Sequence, residues 1–394
     1  MPEVPIRYID EAGLAGKRVL LRTDFNVSLH PDHTIADAER IERSLPTMRM
    51  LLEAKNRLIV VTHLGRPKGP DAALSLAPVA ERLREAFPQH RVTLVKDFRT
   101  AEDVFTAQKE DEILLLENIR FHREEKANDP AFARALADLA DVYVNDAFAN
   151  SHRSDASMVG VPALLPSYGG LLLKKEITML RKVTEEAEHP VVAILGGAKV
   201  STKIGLIGRL TEIADTLLIG GALANTFLKA QGYDVGTSFY EEEGVPLAVA
   251  LLEAAKKHNT RIILPSDAVV GMDKDAQVGT VRDVGRIGTE EAIYDIGPET
   301  EAEFGMEIAH ARTVVWNGPV GLSENPTFRR GTDFIYYSIA ENAGTTIVGG
   351  GDTLSAVSKK EHLENITHVS TGGGAMLEFI EKGTLPAIEA LRKP

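Results

Sequence analysis

The sequence predicts an α/β protein built as two doubly wound (Rossmann-like) parallel-sheet domains joined by a helical hinge. Three observations carry this. Short runs of nearly continuous Val, Ile and Leu recur along the 394 residues, and such unbroken runs mark strands buried on both faces of a parallel sheet. Stretches of helical composition separate them, which places helices over the sheet. The series stops once and restarts, and the chain is too long for one ordinary core.

The first series of strands is read at RVLLRTD (18–24), RLIVVTH (57–63), RVTLV (91–95), EILLLEN (112–118) and DVYVND (141–146). The second is read at VVAILGG (191–197), TLLIGG (216–221), RIILPSD (261–267), TVVWNG (313–318), TIVGGGD (346–352) and THVSTGGG (367–374). AFARALADLA (131–140) and PLAVALLEAAKKH (246–258) have the length and composition of intervening helices. Between the series, LPSYGGLLLKKEITMLRKVTEEAEHP (165–190) reads as one amphipathic helix flanked by a Gly pair and His-Pro. Its strong helix formers argue against a flexible linker. The expected division is 1–168 plus about 375–394 for the first domain, 169–186 for the connecting helix and 187–374 for the second domain.

Composition narrows the function classes. Hydrophobic residues make up 44% and charged residues 26%, which fits a soluble globular chain. A net charge of −13 argues against a nucleic-acid partner. With no cysteine, disulfides, thiolate metal sites and Cys nucleophiles are excluded, in keeping with a reducing compartment. No signal peptide and no apolar run of about 20 residues is read, so the expectation is a cytoplasmic protein without a membrane span.

Ligands of open α/β sheets bind beyond the carboxyl ends of the strands, and the two series differ there. The first gathers polar and cationic groups: Arg22, Asp24 and Asn26, then Arg40, His63, Arg66, Arg120, His152 and Arg153. Guanidiniums converging on one sheet edge suit phosphate and carboxylate, which Arg grips with a planar fork. His63 taken alone is equally readable as a structural histidine.

The second series ends in glycine: Gly196-Gly197, Gly220-Gly221, Gly318, Gly349-Gly350-Gly351 and Gly372-Gly373-Gly374. Glycine lets backbone N–H groups approach a ligand, and helix N-termini add positive potential. Repeated at successive strand ends, these glycines read as the floor of a nucleotide site. Lys199 and Lys203 fall in VAILGGAKVSTK, where Walker spacing is absent. With a helix starting near Ser201, Lys203 lies in its first turn, where a cation opposes the dipole by a few tenths of a kcal/mol unless an anion binds. Asp352 is read both as a helix N-cap and as a carboxylate for Mg²⁺ carried by a nucleotide. An anionic-metabolite half and a nucleotide half together point to phosphoryl transfer, which depends on positioning and charge neutralisation.

Nine segments in order, LRTDFNV, THLGRPKG, LLENIRFH, YVNDAFANSHR, ILGGAKV, IGGALANTFL, VWNGPVG, GGGDT and HVSTGGGA, resemble the signatures of the phosphoglycerate kinase family over essentially the whole chain. The resemblance implies reversible transfer of a phosphoryl group from 1,3-bisphosphoglycerate to MgADP, giving 3-phosphoglycerate and ATP. It implies that Asp24, Asn26, Arg40, His63, Arg66, Arg120 and Arg153 hold the phosphoglycerate. It places Gly197, Ala198, Lys199, Lys203, Gly220, Gly221, Asn317, Pro319, Glu324, Gly351, Asp352 and Thr353 at the nucleotide, with Asp352 on Mg²⁺. Arg40, Lys199 and Gly373 are implied to serve the transferring group, and the backbone around Gly372 to Gly374 to meet the nucleotide phosphates. A monomer is implied as well. No general base is expected, because the acceptor carboxylate, with a pKa of roughly 4, is already ionised.

Four positions depart from the resemblance. Asp155 stands where the family usually has a second histidine, and it is expected either to weaken substrate binding or to pair with Arg153. Thr202 replaces an Asp, Ser323 a Phe and Ala149 a Gly. Two rival readings fit less well. A nicotinamide dehydrogenase would need Gly-x-Gly-x-x-Gly after a strand with an acid about 20 residues on. A two-lobed binding protein would not need Lys199, Lys203 and GGGD in the second lobe.

Overall fold

The computed structural model describes residues 5–392, and the side chain of Asp352 lies outside what it describes. Two compact units are present, one running to Thr178 and resuming at Thr384, the other Met179–Gly383.

The first unit is built on six parallel strands: β1 (Arg18–Arg22), β2 (Arg57–Val61), β3 (Arg91–Val95), β4 (Glu112–Leu116), β5 (Val142–Asn145) and β6 (Ser167–Gly169). They lie in the order β3-β4-β2-β1-β5-β6. Val19, Leu21, Leu58, Val60, Ile113 and Val144 form one core with Ile41, Leu45 and Met48 of the helix Glu39–Glu53 and Val79 and Leu83 of the helix Ala77–Ala86. Leu20, Ile59 and Leu114, on the opposite face, are buried too, and this double-sided burial explains why the strands read as unbroken apolar runs. β6 gives no signal in the sequence because Ser167-Tyr168-Gly169 contains no Val, Ile or Leu, and its backbone pairing with β5 holds it in the sheet. The helix read in the connector spans Leu171–Thr184. Its N-terminus is fixed by Asp146, whose Oδ1 accepts from Leu172 N at 2.9 Å.

The second unit carries β7 (Val191–Leu195), β8 (Thr216–Ile219), β9 (Arg261–Ile263), β10 (Thr313–Asn317), β11 (Thr345–Gly349) and β12 (His368–Ser370), again parallel. Their order, β9-β8-β7-β10-β11-β12, reverses at β7/β10, the crevice where doubly wound sheets bind ligands. An antiparallel sheet of Asp267–Gly271, Thr280–Asp283 and Ala292–Ile296 adds to this unit. It leaves no apolar signature because its outer strand is largely exposed. RIILPSD was one strand in the sequence reading, but β9 stops at Ile263, ahead of Pro265, and Asp267 opens a strand of the other sheet. Chain belonging to the first unit resumes at Thr384, later than residue 375, because the helix Gly374–Lys382 packs on Ile204–Ile213. Among the described residues no helix is long and apolar enough to cross a membrane.

Candidate active site

In the first unit the sheet delivers cations to the carboxyl ends of β1, β2 and β4. β1 and β2 are locked side by side beyond their last pairing, since Thr62 Oγ1 accepts from Phe25 N at 2.8 Å and donates to Thr23 O at 3.0 Å. The loop after β2 is held by Asn26, whose Oδ1 accepts from Gly65 N at 2.8 Å. Arg120 Nη1 donates to Gly65 O at 3.0 Å. Asp24 takes the guanidinium of Arg40 and lies 3.9 Å from Nδ1 of buried His63. Asp24, Asn26, Arg40, His63 and Arg120 therefore meet around two adjoining loops. Arg66 follows Gly65 with its side chain exposed.

The electrostatics place the remaining cations. Burial holds His63 well below its ordinary range, reinforced by the charges of Arg22, Arg120, Arg153 and Arg40. Burial, with Arg153 and Arg22, also pushes Arg120 down to about 10. A neutral imidazole amid four guanidiniums can position a ligand but carries no charge of its own. Arg22 Nη2, Arg120 Nε and Nη2 and Arg153 Nε are buried without a hydrogen-bond partner. Unpaired buried donors cost roughly 1–3 kcal/mol each, a cost that a ligand bearing several anionic oxygens removes.

Two supporting groups escaped the sequence reading. Asn118 lies at the end of β4; its Oδ1 accepts from Arg120 N at 3.2 Å and its Nδ2 donates to Leu64 O at 2.8 Å, so it joins the Arg120 turn to the His63 loop. Glu125, wholly buried, accepts from Ser157 N at 2.9 Å and from Ser157 Oγ, whose oxygen in turn accepts from Arg22 Nε at 2.8 Å. The motif LLENIRFH contains Asn118 only as context, and Glu125 lies three residues beyond it. Asp155 is corrected in its partner: its Oδ2 lies 3.8 Å from Nη2 of Arg120, and this is the ion pair it forms, instead of one with Arg153.

In the second unit the crevice at β7/β10 is walled by backbone. Gly196 N donates to Asn317 O at 3.0 Å and Gly197 N to Pro319 O at 3.1 Å. A Cβ on Gly196 would stand 2.0 Å from Pro319 O, and one on Gly220 2.6 Å from Val320 Cβ, so glycine here is steric necessity. The wall opens on a cavity of about 270 Å³ lined by Gly197, Ala198, Gly221, Phe239, Pro319 and Glu324, among others. Phe239 and residues of Ala292–Ile296 were missed; they come from a loop and from the antiparallel sheet, which the apolar runs did not reveal.

Lys203 is the cation of this crevice. Its Nζ donates to Gly196 O at 2.6 Å and to Asn317 Oδ1 at 3.0 Å, and burial lowers its pKa to about 8. The helix starts at Ile204 with Lys203 as N-cap, not near Ser201, because residues 201–203 form turns. Lys199 is exposed. A carboxylate still serves this turn despite Thr202: Glu241 Oε2 accepts from Ser201 N at 2.9 Å, and the hydrogen bonds from Ser201, with the charge of Lys199, hold the Glu241 carboxyl below its usual range.

The neighbouring strand ends contribute backbone. Gly351 and Gly373 adopt φ of +62° and +49°, and a Cβ on either would meet nothing within 4 Å, so they are chosen for conformation and leave their amides approachable. Gly372 N is held by Ser370 Oγ at 3.0 Å. Buried Thr353 Oγ1 accepts from Gly318 N at 3.0 Å, joining the turn after β11 to the end of β10. The helix Asp352–Ser355 starts at Asp352. Among the described residues no group of three or more His, Cys, Asp or Glu side chains is placed to hold a metal by itself.

The chain matches the family model for phosphoglycerate kinase over residues 9–383. It is 44% identical over 396 residues to the phosphoglycerate kinase of Dictyoglomus turgidum, covering 100% of each chain. Among solved structures it resembles the phosphoglycerate kinase of Coxiella burnetii with a TM-score of 0.89 at 39% identity, covering 98% of each chain. It resembles that of Pyrococcus horikoshii OT3 with a TM-score of 0.83 at 30% identity, also over 98% of each.

Proposed function

The chain belongs to the phosphoglycerate kinase family, and we propose that it catalyses reversible phosphoryl transfer from the acyl phosphate of 1,3-bisphosphoglycerate to MgADP, the glycolytic and gluconeogenic step. The observation that carries this is the set of buried, unpartnered guanidinium N–H groups of Arg22, Arg120 and Arg153, in a chain whose other unit holds a glycine-walled cavity with Lys203 beside it.

Asp24, Asn26, Arg40, His63, Arg66, Arg120 and Arg153 hold the phosphoglycerate. Here the guanidiniums supply directional donors, while neutral His63 donates without adding charge. Gly197, Ala198, Gly220, Gly221, Pro319 and Glu324 form the base and ribose side of the nucleotide site. Lys203, Asn317, Gly351 and Thr353 serve its phosphates, and Arg40, Lys199 and the Gly373 backbone neutralise the transferring group. Asp352 would hold Mg²⁺ together with nucleotide phosphates and waters, the mode in which this hard cation is usually bound; the ion neutralises phosphate charge. The acceptor is a carboxylate, ionised at neutral pH, so the transfer uses no general base. Each charge-neutralising clamp is worth ~3 kcal/mol or more in such a transition state. Transfer between ligands held on different units requires the units to close about Leu171–Thr184. The reading includes a cytoplasmic monomer acting without nucleic acid or membrane.

Calorimetry on the full chain tests the split. 3-Phosphoglycerate is expected to bind without nucleotide, ADP to bind without phosphoglycerate, and Arg120→Met to abolish only the first. Loss of both in a folded Arg120→Met variant would contradict it.

A further inference from the structure

Asp155 is an acid placed inside a cluster of cations, paired by charge with Arg120 but with no hydrogen bond to its Oδ2. Its side chain is 10% exposed, its Oδ2 has no hydrogen-bond partner, and its nearest cation atom is Arg120 Nη2 at 3.8 Å, beyond hydrogen-bonding length. Arg120 does not depend on it for position, because its Nη1 is tied to Gly65 O and its backbone N–H to Asn118 Oδ1. The placement of Asp155 is nonetheless fixed, since its carbonyl accepts from Met158 N at 2.9 Å and Val159 N at 3.0 Å at the start of the turn Ala156–Gly160.

The other charges around this acid sharpen its role. Arg153 is two residues away, and Arg22 and Arg153 both act on Arg120. Buried Glu125, already engaged by Ser157, is its like-charged neighbour. Arg120 Nε and Nη2 remain open donors, so Asp155 compensates the charge of the guanidinium without occupying the N–H groups a ligand would use. Once an anionic oxygen docks on those donors, the Asp155 carboxylate becomes its like-charged neighbour.

The geometry points to Asp155 as an affinity-tuning residue of the phosphoglycerate site: it carries the counter-charge of Arg120 while the site is empty and repels the bound oxyanion, which favours release. This inference rests on the proposed function. Neutralising the acid is expected to tighten binding of 3-phosphoglycerate about fivefold, equivalent to ~1 kcal/mol of like-charge repulsion in a partly screened site.

The test is calorimetric titration of the full-length chain with 3-phosphoglycerate, without nucleotide, for the natural protein, Asp155→Asn and Asp155→Glu. Asp155→Asn is expected to bind about fivefold more tightly, and Asp155→Glu no more tightly than the natural chain. Equal or weaker binding by folded Asp155→Asn overturns the inference. If Asp155→Asn is folded but too unstable to titrate, the gain in Tm at saturating 3-phosphoglycerate replaces the titration. A larger gain than in the natural chain supports the role and an equal or smaller one overturns it. Failure of the natural chain to bind 3-phosphoglycerate would instead contradict the proposed function itself.

Discussion

Lys203 Nζ lies 3.0 Å from Asn317 Oδ1, so the cation following β7 is held by the side chain that ends β10. The two strands flank the point where the order of the second sheet reverses, and this contact, with the one to Gly196 O, holds a partly buried positive charge at the crevice. Replacing Lys203 with Met is expected to weaken ADP binding by about 10- to 100-fold, the worth of a charge-assisted hydrogen bond in a desolvated site. Titration calorimetry at pH 7 measures it.

The same lysine predicts a pH effect of definite sign. Its pKa in the folded chain is about 8, below the unfolded value of about 10.4. Between those values the unfolded state binds more protons, so this group makes the ligand-free protein more stable as pH rises from 8 towards 10. Nucleotide affinity moves the other way, since the phosphates need the protonated amine. ADP binding should fall above pH 8 and be accompanied by proton uptake near pH 8, a signal that buffers of different ionisation enthalpy reveal in calorimetry and that Lys203→Met should lack.

Glycine at position 196 is set by the 2.0 Å separation between a Cβ there and Pro319 O. Gly196→Ala is expected to destabilise the chain by about 2 kcal/mol, within the usual cost of overpacking. Gly208, inside the helix Ile204–Ile213, would give a Cβ no neighbour within 4 Å; Gly208→Ala should stabilise by roughly 0.5–1 kcal/mol through helix propensity. Thermal or denaturant unfolding of the pair separates local crowding from a general intolerance of the second unit.

His63 should remain neutral across the working range, because burial and four surrounding guanidiniums lower its pKa far below 6.5. Below pH 6.5 the unfolded chain takes up a proton that the folded site refuses, so stability is lost as pH falls through that value. Unfolding measured from pH 7 to pH 5 should show less of this loss in His63→Gln than in the natural chain.

Arg40 is paired with Asp24 and reaches the cluster from the helix Glu39–Glu53. Arg40→Ala is expected to lower kcat at least a hundredfold, the scale of one transition-state donor, with much less effect on ADP affinity. Steady-state kinetics beside calorimetry checks both, and unchanged turnover would remove Arg40 from the assigned role.

What could be read from the sequence follows from how each element is built. The strands of the two parallel sheets that are buried on both faces appeared as continuous apolar runs, and their ends carried the cations and glycines now found at the crevices. β6, a Ser-Tyr-Gly strand without Val, Ile or Leu, and the partly exposed strands Thr280–Asp283 and Ala292–Ile296 lacked any such pattern. Side-chain supports were hidden for another reason. Glu125 meets Ser157, and Glu241 meets Ser201, across 32 and 40 residues respectively, so only the folded chain brings them together. The helix after β7 begins at Ile204 and not near Ser201, whose amide and hydroxyl are taken by Glu241 in the preceding turn.

The central claim is tested most directly by following ADP formation from ATP by the purified chain. ADP is expected only when 3-phosphoglycerate and Mg²⁺ are both present, in amounts matching the 1,3-bisphosphoglycerate trapped. ADP released at the same rate without 3-phosphoglycerate, or none released with all components present, would contradict the account.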